Sequence, residues 1–188
     1  MSARFDLLHA GYATDDGVAS SVSLVVDGDA VIVVDPGMVA DRSLIVTPLA
    51  ARGFAVGDVT HVVLTHHHPD HALNVALFPN AEVVDFWARY RGDQWLDHDG
   101  EGEQIGPDTR LILTPGHTRQ DLTLLANTVD GVVAFTHCWW RTDRSPAEDP
   151  LAEDAGALEA SRARILDEAD LVVPGHGGPF PTGRPRGG

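Results

Sequence analysis

The seven residues Thr65-His66-His67-His68-Pro69-Asp70-His71 carry four histidines and one aspartate, directly behind the apolar run Val62-Val63-Leu64. Imidazole nitrogens and carboxylate oxygens are the donors that zinc and other first-row divalent ions accept, and few structural roles ask for so many in one stretch. The chain therefore has to deliver a strand and then open into a loop that gathers these side chains above a sheet edge. Two further histidines stand in glycine-bearing turns far downstream, Thr114-Pro115-Gly116-His117-Thr118 and Val173-Pro174-Gly175-His176-Gly177.

Around these segments the pattern alternates between sheet and helix. Ser21 to Val26 and Ala30 to Val34 are β-branched runs joined by Asp27-Gly28-Asp29, a hairpin turn, and Asp35-Pro36-Gly37 stops the second strand. Asp41 to Arg52 reads as a helix with Asp41 as N-cap and Gly53 as terminator. Val59 to Leu64 is the strand that carries the histidine loop, and Asp70 to Leu77 continues into a helix before Pro79. Strands are expected at Ala81–Val84, Arg110–Leu113, Leu122–Leu125, Val132–Phe135 and Leu171–Val173. Asp154 to Glu168 is the clearest amphipathic helix, with Leu158, Ile165 and Leu166 turned inward. The order fits one compact α/β unit over residues 1–180, with a loose Pro-, Gly- and Arg-rich tail over 181–188.

The string His66-x-His68-x-Asp70-His71, followed in order by His117 and His176, resembles the metallo-β-lactamase superfamily. The resemblance covers roughly Ser20 to Gly178. It implies a four-layer αββα sandwich with the metal site at one open edge. It also implies that His66, His68 and His117 share one ion, and that Asp70, His71 and His176 hold a second. Alternate residues of an extended loop point the same way, which agrees with His66 and His68 converging. His67 then faces away, as a surface or supporting residue. Asp35 is read either as support beneath the site or as a plain turn aspartate.

One position departs from the superfamily. Where most members end a strand in Gly-Asp, whose carboxylate bridges two ions, this chain has Val132-Val133-Ala134-Phe135-Thr136-His137. A neutral imidazole has one free lone pair and binds a single ion. The second site is therefore expected to be weaker, or the pair of ions to be bridged only by hydroxide, with His137 as a terminal ligand or close neighbour. The alternatives are that His137 is a core residue whose ring lies near the site, or that Asp143 swings in instead. Cys138 is read as a buried packing residue rather than a soft ligand.

Metal-held hydroxide at neutral pH is the chemistry this implies. The expected function is a hydrolase, with one or two zinc ions, acting on a small-molecule ester, thioester, lactone or amide, with Asp70 orienting the nucleophile. A mononuclear iron persulfide-type dioxygenase and a phosphodiesterase or ribonuclease of the same fold are the alternatives. Leu77-Phe78-Pro79, Ala147-Glu148-Asp149-Pro150 and Asp170 to Gly177 point to a small single-domain group within the superfamily. The aromatic and basic stretch Asp85 to Arg91, with Trp95, Trp139 and Trp140, is read either as a pocket wall for an apolar substrate or as core and loop anchor.

The formal net charge of -15 repels polyanions, so nucleic acid and anionic membranes are disfavoured partners. No apolar run approaches the length of a bilayer span. The N-terminal residues lack the features of a signal peptide, and the lone Cys138 fits a reducing compartment, so a cytoplasmic location is expected. A homodimer is compatible with the sequence, which singles out no interface for one.

Overall fold

A computed structural model describes residues 2–184 of the chain. The elements run β1 (Arg4–His9), β2 (Tyr12–Thr14), β3 (Gly17–Ala19), β4 (Val22–Asp27), β5 (Ala30–Val34), α1 (Ser43–Ala51), β6 (His61–Val63), α2 (Pro69–Ala72), β7 (Glu82–Val84), β8 (Ala88–Arg91) and β9 (Gln94–Asp97). They continue through β10 (Gln104–Gly106), β11 (Thr109–Leu113), β12 (Leu122–Thr128), β13 (Gly131–Phe135), α3 (Ala155–Glu168), β14 (Leu171–Val173) and β15 (Phe180–Pro181).

Two mixed sheets result. The first has strand order β1-β4-β5-β6-β7-β8-β9 and the second β10-β11-β12-β13-β14-β15, while β2 and β3 form a separate hairpin. Parallel pairing is confined to the centre, at β5/β6, β6/β7 and β13/β14. Parallel strands need a crossover of their own, which α1 supplies between β5 and β6 and α3 between β13 and β14.

Side-chain alternation explains the layering. Along β5, Ile32 and Val34 join Val25, Val63 and Val84 against Leu111, Leu124, Val133 and Phe135 of the second sheet, filling the space between the sheets. The intervening Val31 and Val33 turn outward and, with Leu24 and Val62, are covered by Ile45 and Leu49 of α1. On the far side Ile112, Leu125, Ala134 and Val172 pack beneath Leu158 and Ile165 of α3. Strands covered on both faces read as continuous apolar runs rather than alternating ones, as here. The layers are thus α, β, β, α, the sandwich expected from the sequence.

Local departures have physical causes. The helix expected over Asp70 to Leu77 is only Pro69–Ala72 followed by a single 3₁₀ turn, Val75–Leu77. Asn74 ends it by turning back: its backbone N–H donates to Pro36 O at 2.8 Å and its side-chain amide to Gly37 O at 2.6 Å. The amphipathic helix expected before Glu168 is α3, with Leu158 and Ile165 buried and Leu166 half-buried, and Asp154 caps it, its Oδ1 accepting from Ala157 N at 2.9 Å. Pro181 pairs with Leu171 in β15, and residues 185–188 of the expected tail lie outside the described residues. Among the described residues no helix is long and apolar enough to cross a membrane.

Candidate metal centre

The C-terminal ends of β5, β6, β11, β13 and β14 meet at one edge of the sandwich, and each delivers part of the site. Asp35, immediately after β5, is the support. Its Oδ1 accepts from Thr65 N at 2.8 Å, and its Oδ2 accepts from Thr65 Oγ1 at 2.7 Å and from His71 Nδ1–H at 2.8 Å. The reading of Asp35 as a plain turn residue is therefore set aside. The following turn packs directly under the histidine loop, Met38 N donating to Asp70 O at 3.0 Å. Gly37 is required there, because a Cβ would stand 1.6 Å from Asp70 O.

Three imidazoles converge on one side. His68 Nδ1 lies 3.1 Å from both His66 Nε2 and His117 Nε2. The outer nitrogens of two of them are engaged: His66 Nδ1 lies 3.2 Å from Thr65 Oγ1, and His117 Nδ1–H donates to Asp149 Oδ2 at 2.7 Å. An outer partner of this kind fixes the tautomer and aims the other lone pair. Burial, followed by the charges of neighbouring histidines, pushes His66 well below the usual imidazole range, and burial followed by His117 lowers His68. Three imidazole nitrogens facing one another at 3.1 Å are the donors a divalent ion accepts, so the set fits a metal ion.

A second group adjoins the first. Asp70 Oδ2 lies 3.4 Å from His71 Nε2 and 3.6 Å from His176 Nε2. His176 Nδ1–H donates to Ala19 O at 2.9 Å, again fixing which nitrogen faces in. Burial, then His71, lowers His176 to about 4. Burial would lower His71 too, but the Asp35 and Asp70 carboxylates overcome it and raise this ring to about 9. The buried His71 Nε2 has no protein partner. A cation there would take the place of the proton that Asp35 and Asp70 favour.

His137 stands between the two groups. Its ring centroid is 4.1 Å from that of His117, 4.4 Å from His66 and 4.7 Å from His71, and its Nε2 is 3.4 Å from His176 Nε2. One set of mutually close donor atoms is His66, His117 and His137, and another is His71, His137 and His176. Gly175 makes room for the ring, since a Cβ there would lie 2.2 Å from His137 Cδ2.

The other candidates separate cleanly. Asp143 is exposed, its Oδ1 accepts from Ser145 N and Oγ, and it belongs to neither set of mutually close donor atoms. Cys138 is buried, its thiol pushed up to about 12 mainly by desolvation, in a packing position beside Thr114. His67 turns away and stacks on Trp87 with ring centroids 4.6 Å apart, while its Nε2–H donates to Asp85 Oδ2 at 2.8 Å. Of the aromatic residues proposed as a wall, only Trp140 lines the cleft over the histidines, a space of about 300 Å³ that Val18 and Leu151 also bound. Trp139 is buried against Phe180, and Trp87 and Trp95 are exposed about the β8–β9 hairpin. The sequence reading gave Asp149 no role, yet it joins His117 to Trp140, whose Nε1–H donates to it at 2.9 Å. No local pattern distinguishes that aspartate from its acidic neighbours Glu148 and Glu153.

An αββα sandwich with clustered histidines and an aspartate at the strand ends defines a class, and comparison agrees. The sequence model of the metallo-beta-lactamase superfamily matches residues 15–93, and the chain belongs to that superfamily, a hydrolase fold. Among individual relatives, it is 34% identical over 192 residues to metallo-beta-lactamase domain-containing protein 1 of Xenopus laevis, an alignment covering 93% of this chain and 79% of that protein. This is the group within the superfamily that the sequence resembles. Among solved structures, a metallo-beta-lactamase-like chain from Thermotoga maritima superposes with a TM-score of 0.75 at 20% identity, over 96% of this chain and 100% of that one. An N-acyl homoserine lactone hydrolase superposes with a TM-score of 0.65 at 18% identity, over 87% and 86%.

Proposed function

We propose that the protein is a zinc-dependent hydrolase acting on a small-molecule ester, thioester, lactone or amide. The observation that carries this reading is the convergence of imidazole nitrogens and the Asp70 carboxylate on an open cleft. His66, His68 and His117 would hold one ion and Asp70, His71 and His176 the other, with His137 in reach of both. When bound, such an ion lowers the pKa of water towards about 7 and polarises an electrophilic oxygen. Burial would raise the Asp70 carboxyl, but His71 and His176 hold it below the usual carboxylate range, so it stays ionised. It would accept a hydrogen bond from the attacking water and orient it. Asp35 and Asp149 keep His71 and His117 in the ligating tautomer, and Val18, Trp140 and Leu151 form the apolar wall for the substrate. Superposition on a lactone hydrolase supports the ester and lactone end of the range. Cys138 as the lone thiol supports a reducing, cytoplasmic setting, and residues 1–180 are proposed as one domain.

The position of His137 favours a second reading in which one ion, including iron, is held tightly and the other weakly. Elemental analysis of protein purified without added metal or chelator, paired with a panel of esters, thioesters and lactones, tests both. One or two zinc ions with turnover support the hydrolase, whereas iron with oxygen uptake on a persulfide would replace it. Zinc titration of metal-free protein is expected to show one tight equivalent and a weaker second one. Two equally tight equivalents would remove the weakening assigned to His137.

A further inference from the structure

The cleft over the histidines does not end at His176. A second cavity of about 440 Å³ continues from it, sharing Ala13, Thr14 and His176 with the first and walled further by Tyr12, Arg141 and Asp143. The two spaces together suit a small molecule whose reacting carbonyl lies over the histidines and whose far end enters the second cavity. Arg141 and Asp143 supply the formal charges of that end.

Both charges are fixed by the protein. Arg141 Nη2–H donates to Ala13 O at 2.6 Å and Nη1–H to Ser145 Oγ at 3.4 Å. Asp143 Oδ1 accepts from Ser145 N at 3.0 Å and from Ser145 Oγ at 2.6 Å. Ser145 thus stands between a guanidinium and a carboxylate, and no ion pair joins the two among the described residues. Arg141 Nε and Asp143 Oδ2 also have no protein partner there. Two opposite charges held in one frame complement a carboxylate and an ammonium carried on one carbon. A chain of net charge -15 repels a purely anionic ligand, whereas a zwitterion carries no net charge to be repelled.

We propose that this cavity is a substrate subsite in which Arg141 and Asp143 select an amino-acid-type, zwitterionic end group. The inference rests on the hydrolase reading above and names the substrate class for that site. Both side chains are exposed, so neither contact is strong alone. A two-point guanidinium–carboxylate contact is stronger, and the expected preference is about tenfold.

The test uses the metal-loaded protein and four matched methyl esters: γ-methyl L-glutamate, monomethyl glutarate, methyl 4-aminobutyrate and methyl butyrate, with homologues one and two carbons longer. The zwitterionic ester is expected to show the highest kcat/KM, about tenfold over the anionic one, mostly through KM. Arg141→Gln is expected to erase the gain from the carboxylate, and Asp143→Asn the gain from the ammonium. Melting temperatures of both variants check that the fold is kept. Ligand-observed NMR with the amides L-glutamine and butanamide reads binding without turnover. Hydrolysis of all four esters at rates within about twofold, unchanged in preference by Arg141→Gln, would overturn the subsite and leave the hydrolase reading standing. No turnover of any ester, with L-glutamine binding that Arg141→Gln removes, would uphold the subsite and count against the ester reading. Neither turnover nor selective binding would overturn the subsite.

Discussion

Hydrolysis, and metal retention by the His66–His68–His117 group, are both expected to be lost when His66 and His68 are replaced together by alanine. The two side chains supply facing nitrogens, His66 Nε2 and His68 Nδ1, 3.1 Å apart, and His117 alone remains to complete that set. His117 with His137 beside it leaves at most two imidazoles there, too few to hold a divalent ion competitively at that position. The Lewis-acid contribution to such reactions is worth several kcal/mol, and each 1.36 kcal/mol is a factor of ten. Turnover is therefore expected to fall by about three orders of magnitude or more. Elemental analysis of the variant should show loss of the ion assigned to that group. Activity on a confirmed substrate that survives the double replacement would reject the metal assignment. The fold itself should persist, because the loop lies at the sheet edge and the variant leaves the three apolar clusters untouched.

Asp35→Ala is expected to do the reverse, damaging the fold as well as the site. Asp35 is buried and its two oxygens hold Thr65 N, Thr65 Oγ1 and His71 Nδ1. Removing one partner of a buried charged pair costs about 3–5 kcal/mol, because the groups left behind lose their counter-charge and their hydrogen bonds. For a chain of this size each kcal/mol is about 2–4 °C, so the melting temperature should drop by roughly 6–20 °C. His71 also loses the carboxylate that fixes its tautomer, and metal affinity should fall about 10- to 100-fold. Asp35→Asn preserves shape and one acceptor oxygen, and should recover part of the stability but little of the affinity. A melting temperature unchanged in Asp35→Ala would contradict the supporting role.

The two predictions draw on signals of very different visibility. His66, His68, Asp70 and His71 are legible because the chemistry is concentrated in consecutive residues, and the apolar run before them fixes the strand. Val22–Asp27, Ala30–Val34 and the helix capped by Asp154 are legible for the same reason: burial on a regular face leaves a pattern. Asp149 is not legible, because its value arises only when the loop before α3 folds over His117. The β2–β3 hairpin, Tyr12–Thr14 with Gly17–Ala19, is too short to show alternation, although Asp15-Asp16 followed by Gly17 marks the turn. The same holds for β8 and β9, where Gly92-Asp93 punctuates a stretch read instead for its aromatic and basic side chains. Both hairpins gain their order from pairing across a turn, which local composition records weakly. The position of His137 between two groups depends on Gly175 leaving room for its ring, a relation between residues that are distant in sequence.

The histidines come from both sheets: His66, His68 and His71 follow β6 of the first, whereas His117, His137 and His176 follow β11, β13 and β14 of the second. Between those sheets the core is apolar and non-directional, with few polar ties such as Leu122 N to Thr65 O at 2.9 Å and Ser21 N to Gly175 O at 2.7 Å. An ion gripped from both sides would therefore act as a rivet. Free metal at a hundred times its dissociation constant adds about 2.7 kcal/mol to the folded state. A shift of that size changes the unfolded population that proteases act on, and with it the abundance of a protein in a cell. Metal supply would then govern how long each molecule survives, independently of whether any substrate is present.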